Sequence, residues 1–321
     1  MISMPLDLYG TLRTTLNTFV FAALALIQGY RLGYDFSEQK RRYDKQENIG
    51  YFKGDFFICK LKEGMTELIV PYAIFGVFYI LSRGFGMTAE IKTLVTSTAT
   101  SGKFLSYYST VGIAWVIPAI FFARIIYTAV LCLCKRKYTL PVMSLALSML
   151  GAALGSRGIF LPCSLDLSLF MVAFFFAGHM FFAYDVVGWY IKRPWLYFIA
   201  AAAEAYIIYS STINYANREY GIWAYCVLGG IAGTFILFNI AHFICGRITL
   251  SIEKFAFAVG RSAFFIMLSG ALLQPFLKEA ISDLAGLAQK GMANGLICCM
   301  MELVVGVTVG SLYYAAFRGK K

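Results

Sequence analysis

Nine apolar windows, each long enough to cross a bilayer, recur from one end of this chain to the other, and they restrict the fold more than any other feature. They are Thr14–Gly33, Met65–Ser82, Val111–Cys134, Thr139–Gly155, Leu165–Tyr184, Trp195–Ile213, Tyr220–Cys245, Phe257–Phe276 and Ala293–Phe317. A hydrocarbon core of about 30 Å is crossed by about 20 apolar residues in helical form. Lipid offers no partner for exposed backbone amides, so such segments must be helical. The expectation is an all-α, polytopic transmembrane helical bundle of about nine spans. No linker or repeat interrupts it, so residues 1–321 read as a single transmembrane domain.

Composition closes the alternative of a soluble core. Hydrophobic residues make up 60% of the 321 and charged ones only 14%, against roughly a quarter charged in soluble domains. No basic n-region or small-residue cleavage site surrounds the first window, which therefore reads as a retained span. Lys and Arg are unevenly shared between alternate connections. The segments after the odd-numbered windows hold 18 and the other segments 8. Cytoplasmic loops collect these residues, which places the N-terminus outside, the C-terminus in the cytoplasm, and the protein in the cell membrane. The net charge of +11 follows from those inner segments and requires no nucleic acid. The Lys40-Arg41-Arg42 run lies within the most basic of them, Gly33–Gly64, which is read as a loop facing anionic headgroups. Leu277–Lys290 has the spacing of a surface helix.

The eight cysteines show no metal-ligand spacing with histidine, and most sit in apolar runs as small hydrophobes. Cys163 and Cys226 share the outer face in this topology, leaving one disulfide open. No phosphate loop, HExxH, paired CxxC or GxSxG is present, so no metal site is expected.

Ionisable residues inside apolar windows carry the remaining information: Arg124 in IPAIFFARIIYTAV, Glu204 in LYFIAAAAEAYIIYSS and Glu302 in ICCMMELVVGVTV. Each costs at least about 2.5–3.5 kcal/mol to insert at mid-membrane, so such groups face the bundle interior and seek partners. Arg124 and Glu204 fall at similar depth and are expected to pair. The pair reads equally as a packing device or as an electrostatic site for an anionic substrate. His179 (FFFAGHMFF) and His242 (FNIAHFICG) are the only histidines. Each is a candidate general base or an interhelical hydrogen-bonding residue.

Four stretches, in order, resemble the acyltransferase-3 family of membrane O-acyltransferases. They are LIVPYAIFGVFY (Leu68–Tyr79), AWVIPAIFFAR (Ala114–Arg124), LDLSLFMVAFFFAGHMFF (Leu165–Phe182) and AVGRSAFFIML (Ala258–Leu268). The resemblance implies ten core helices and acyl transfer from cytoplasmic acyl-CoA, such as acetyl-CoA, to a hydroxyl of a carbohydrate or envelope lipid. Thr14–Gly33 looks like that family's second helix, so the first, with its Arg and His, has no counterpart. Val20, Glu67 and Gly270 stand where the family often has His, Arg and His. The usual bases therefore do not carry over. His179 and His242 are left as catalytic candidates, and Arg124, Glu204, Arg261, Arg41 and Arg42 as substrate-binding candidates. Two other readings stay open: a catalytically silent relative that exports or scaffolds an envelope glycan, and an unrelated small transporter lined by Arg124 and Glu204.

Overall fold

The computed structural model describes residues 8–45, 49–82, 116–134, 136, 138–193, 195–210, 213–215, 218–245, 250–263, 265–266, 268 and 291–318. These are almost entirely helical, and a single Asn214–Glu219 bridge is the only β pairing among them. Contacts gather into two compact units: Met1–Gly64 with Ala119–Gly246, and Met65–Pro118 with Arg247–Lys321.

The first unit contains α1 (Leu8–Lys45), α2 (Ile49–Gly64), most of α4 (Val116–Leu133), α5 (Thr139–Ser156), α6 (Leu165–Ala183), the short α7 (Val186–Ile191), α8 (Trp195–Ser210) and α9 (Trp223–Cys245). The central element is α6. Leu167 and the whole run Phe170–Phe175 are buried, as expected of a helix that is apolar all round. Its main partner is α1, with α5 alongside, and α9 also packs on α1. Glycines set the α1–α6 approach. A Cβ at Gly29 would collide with the Phe175 carbonyl, and one at Gly178 with the carbonyl of Leu26, so the two backbones touch directly, as small residues allow between membrane helices. On α5, Ser148, Gly151 and Ala152 face inward while Val142, Met143, Met149 and Leu150 are exposed. The Ser148 hydroxyl donates to the Phe170 carbonyl at 2.8 Å and accepts from the Trp223 indole at 3.0 Å.

The second unit contains a π-helical turn (Met65–Ile69), α3 (Val70–Ser82), α10 (Leu250–Arg261) and α11 (Gly291–Arg318). α10 packs on α11, a Cβ at Gly306 would meet the Ile266 Cα, and Phe75 and Phe265 lie 6.1 Å apart.

Among the described residues, four helices are long and apolar enough to cross a membrane: Val116–Leu133, Thr139–Ser156, Pro162–Ala183 and Trp223–Phe243; Trp195–Ser210 and Leu303–Ala315 are apolar but shorter. The second expected window is divided by the π turn, leaving 13 residues in α3. The end of the eighth, the Leu277–Lys290 segment and the side chain of Glu302 lie outside the described residues. The basic stretch expected as a loop is instead helical. α1 continues to Lys45, and Glu38 pairs with Arg41 and Arg42 at i+3 and i+4, spacings that stabilise a helix surface. Cys163 and Cys226 are both free thiols. Cys226 is buried and donates to the Tyr215 hydroxyl at 3.5 Å, so the disulfide left open by the sequence is not formed.

Candidate functional site

The first unit gathers charge where α1, α2 and α4 meet. Lys60 of α2 donates to Asp35 of α1 and to Glu63, one turn on, each at 2.7 Å. The Arg124 guanidinium of α4 donates to the same Glu63 oxygen at 3.0 Å. Lys60 and Arg124 are buried, so the two carboxylates compensate two desolvated cations.

This overturns the expected Arg124–Glu204 pair. Glu204 lies on α8, buried, and neither carboxylate oxygen has a hydrogen-bond partner among the described residues. Its Oε2 faces Gly229 of α9, 3.4 Å from where a Cβ there would sit. Helix packing turns the two side chains to different neighbours.

About one turn beyond Arg124 on α4, the Tyr127 hydroxyl lies 2.7 Å from Nδ1 of His179. The phenol is fully buried. On the other side, Gly33 of α1 brings its backbone against the imidazole. A Cβ there would sit 2.8 Å from the ring Cδ2. The ring is thus fixed by α1 and α4 while it is carried by α6, and Nδ1 is occupied, which leaves Nε2 for a ligand.

His179 lines a cavity of about 640 Å³ whose walls also carry Phe36, Lys40, Lys53, Arg136 and Tyr184. Lys53 donates to the Cys132 carbonyl at 2.7 Å, closing the last turn of α4 as a cation at a helix C-terminus does. Lys40 and Arg136 are exposed at the cavity. No protein family model, curated protein or solved structure matches the chain. The cavity brings an imidazole and three cations to the walls of one space large enough for a small-molecule ligand.

Of the catalytic and substrate-binding candidates read from sequence, only His179 lines this cavity. Arg41 and Arg42 turn to Glu38 instead. That bond from Arg41 holds the Glu38 carboxyl below its ordinary range. His242 is exposed in the last turn of α9. Arg261 belongs to the second unit, where its guanidinium lies 4.1 Å above the Tyr314 ring.

Two features escaped the sequence reading. The first is the α1 stripe Phe36, Lys40, Asp44, spaced four apart, which lines the cavity. The i, i+4, i+8 spacing of a helix face runs through the basic stretch that α1 keeps helical. The second is an ion pair, 2.6 Å long and fully buried, between Arg218 and Asp166 at the start of α6. Arg218 has a left-handed φ of 61°, and so do Cys163 (56°) and Ser164 (57°) just before α6. Non-glycine residues pay to adopt that region, and here the strained turns bracket the pair. Nothing in a loop arginine's local sequence announces a partner 52 positions away.

Proposed function

We propose that the protein is a multi-pass membrane acyltransferase-like protein that moves an acyl group, such as acetyl, from acyl-CoA to a hydroxyl of a carbohydrate or envelope lipid. Its nine spans leave the N-terminus outside and the C-terminus in the cytoplasm. One observation carries the reading: His179, clamped by Tyr127, lines a cavity that also holds Lys40, Lys53 and Arg136. By the Lys and Arg distribution this is the cytoplasmic end of the unit, where a CoA donor is found.

The residues divide the work. Lys40, Lys53 and Arg136 supply charge for the donor's phosphates. His179 Nε2 accepts the proton of the attacking hydroxyl as its oxygen bonds to the thioester carbon, and the CoA sulfur departs with the C–S electrons and takes up a proton. For Nε2 to hold a lone pair, Nδ1 must carry the proton and donate it to the Tyr127 oxygen. The donor supplies the activated acyl group. Arg124, about one turn before Tyr127 on α4, pairs with Glu63 of α2 and holds α2 against α4.

The same hydrogen bond supports a second reading. If Tyr127 donates to Nδ1, the neutral imidazole presents an N–H at Nε2 and becomes an anion-binding donor rather than a base. That is the chemistry of a silent relative that binds a phosphate-bearing ligand without turnover. The deciding experiment measures transfer from labelled acetyl-CoA by purified protein in lipid vesicles, for wild type and His179→Ala. Transfer abolished by the substitution supports the enzyme. Binding of CoA without transfer by wild type supports the silent relative, and neither binding nor transfer removes both.

A further inference from the structure

A second cavity of the first unit, separate from the one that holds His179, lies along α8 and α9 and is almost wholly apolar. Its volume is about 540 Å³, and its walls include Phe181, Trp189, Leu196, Ile199, Tyr206 and Leu228. Ile199, Tyr206 and Leu228 are each more than half exposed, so the groove opens outward on helices read as spanning. From Leu196 to Tyr206, α8 rises roughly 15 Å at about 1.5 Å per residue. That is about half of the ~30 Å hydrocarbon core, the depth of one leaflet.

The lining itself holds no charged residue, but two cations, Lys192 and Arg193, follow α7 just beyond its wall residue Trp189. Arg193 stacks over the Trp189 ring at 4.3 Å and donates from one guanidinium nitrogen to the Trp189 carbonyl at 3.3 Å. This fixes the guanidinium plane while leaving other N–H groups open. Lys192 beside it is exposed and has no ion pair among the described residues. Asp185, an acid at the other end of α7, is exposed with its carboxylate over Gly188. Trp189 and Trp195, both about half exposed, stand on either side of the cations, as interfacial aromatics do.

We infer that this groove is a binding site for an anionic phospholipid, with one acyl chain lying along α8 and α9 and the phosphate held by Lys192 and Arg193. Apolar lining of one-leaflet depth fits a chain, and a planar guanidinium with a lysine beside it fits a phosphodiester. A zwitterionic lipid would fill the lining equally well but would bring its own cation to the Lys192–Arg193 end. The inference does not depend on acyl transfer.

Lipids brominated on the acyl chain quench tryptophan only on contact, so the full-length protein in phosphatidylcholine vesicles supplies its own reporter. Brominated phosphatidylglycerol and brominated phosphatidylcholine are added at equal mole fraction, and the quenching removed by Trp189→Phe is compared. Two cations near the surface predict about a thirtyfold preference for the anionic lipid. Lys192→Gln with Arg193→Gln should abolish the preference. Ala203→Phe, which fills the lining and keeps both cations, should reduce Trp189 quenching by either lipid. Equal quenching by the two lipids, or a preference that survives the double substitution, overturns the site. So does unchanged quenching in Ala203→Phe, which also covers the case in which loss of the cations disturbs insertion. Absence of Trp189 quenching by either lipid, as when a second copy covers the groove, overturns it too.

Discussion

Tyr127 and His179 join α4 to α6 through a hydrogen bond of 2.7 Å, with the phenol buried and the imidazole on a cavity wall. A general base contributes about 10²- to 10⁴-fold, so His179→Ala should lower kcat/KM for acetyl transfer within that range. Tyr127→Phe keeps the ring and removes only the group that sets the tautomer. It should cost about tenfold and shift the pH profile of kcat/KM, whereas a purely structural tyrosine would leave the profile in place.

Glu63 is the shared acceptor of Lys60 and Arg124. Its replacement by alanine leaves two buried cations with one fewer carboxylate between them. Breaking a buried pair in this way destabilises by about 3–5 kcal/mol, read as a lower thermal midpoint in detergent or lipid.

Glu204 should behave in the opposite sense. Its carboxylate oxygens are buried without a partner, so Glu204→Leu should leave the midpoint unchanged or raise it, since an apolar isostere removes a desolvation cost. A midpoint drop as large as that of Glu63→Ala would restore a partner for Glu204.

Gly178→Leu forces a side chain into the Leu26 carbonyl at the closest point between α1 and α6. Overpacking costs typically about 1–3 kcal/mol. Here the obstacle is backbone, which cannot rotate away, so the upper end is expected. Gly54→Ala, where a Cβ meets nothing within 4 Å, is the control and should be neutral or mildly stabilising.

Glu38 lies beyond the first spanning window and is partly exposed, and its hydrogen bond from Arg41 holds its carboxyl below the ordinary value of 4.5. A depressed carboxyl contributes stability that is fully present above the unfolded value and is lost as pH falls through the folded one. The difference in thermal midpoint between wild type and Glu38→Gln should therefore be small and constant from neutral pH to about 5, then shrink as acid protonates the group. A difference that grows in acid would contradict the pairing.

The apolar extents of α5, α6 and α9 were readable to within three residues, because apolar length is a local property that water and lipid judge one segment at a time. His179 was readable as unusual for the same reason: a titratable group in an apolar window stands out wherever it points. The conformation of Gly33–Gly64 reads as a loop from its charge density, which hides the i+3 and i+4 pairing that keeps α1 helical to Lys45.

What the tertiary structure alone decided is which side chains meet. Glu63 rather than Glu204 faces Arg124, Lys40 rather than Arg41 or Arg42 lines the cavity, and Asp166 finds Arg218 across 52 residues. Hydropathy fixes how deep a residue lies along its helix, and it is indifferent to rotation about that axis. Rotation is set by where glycines such as Gly29, Gly33 and Gly178 let backbones close, and that is a relation between helices which no single helix contains.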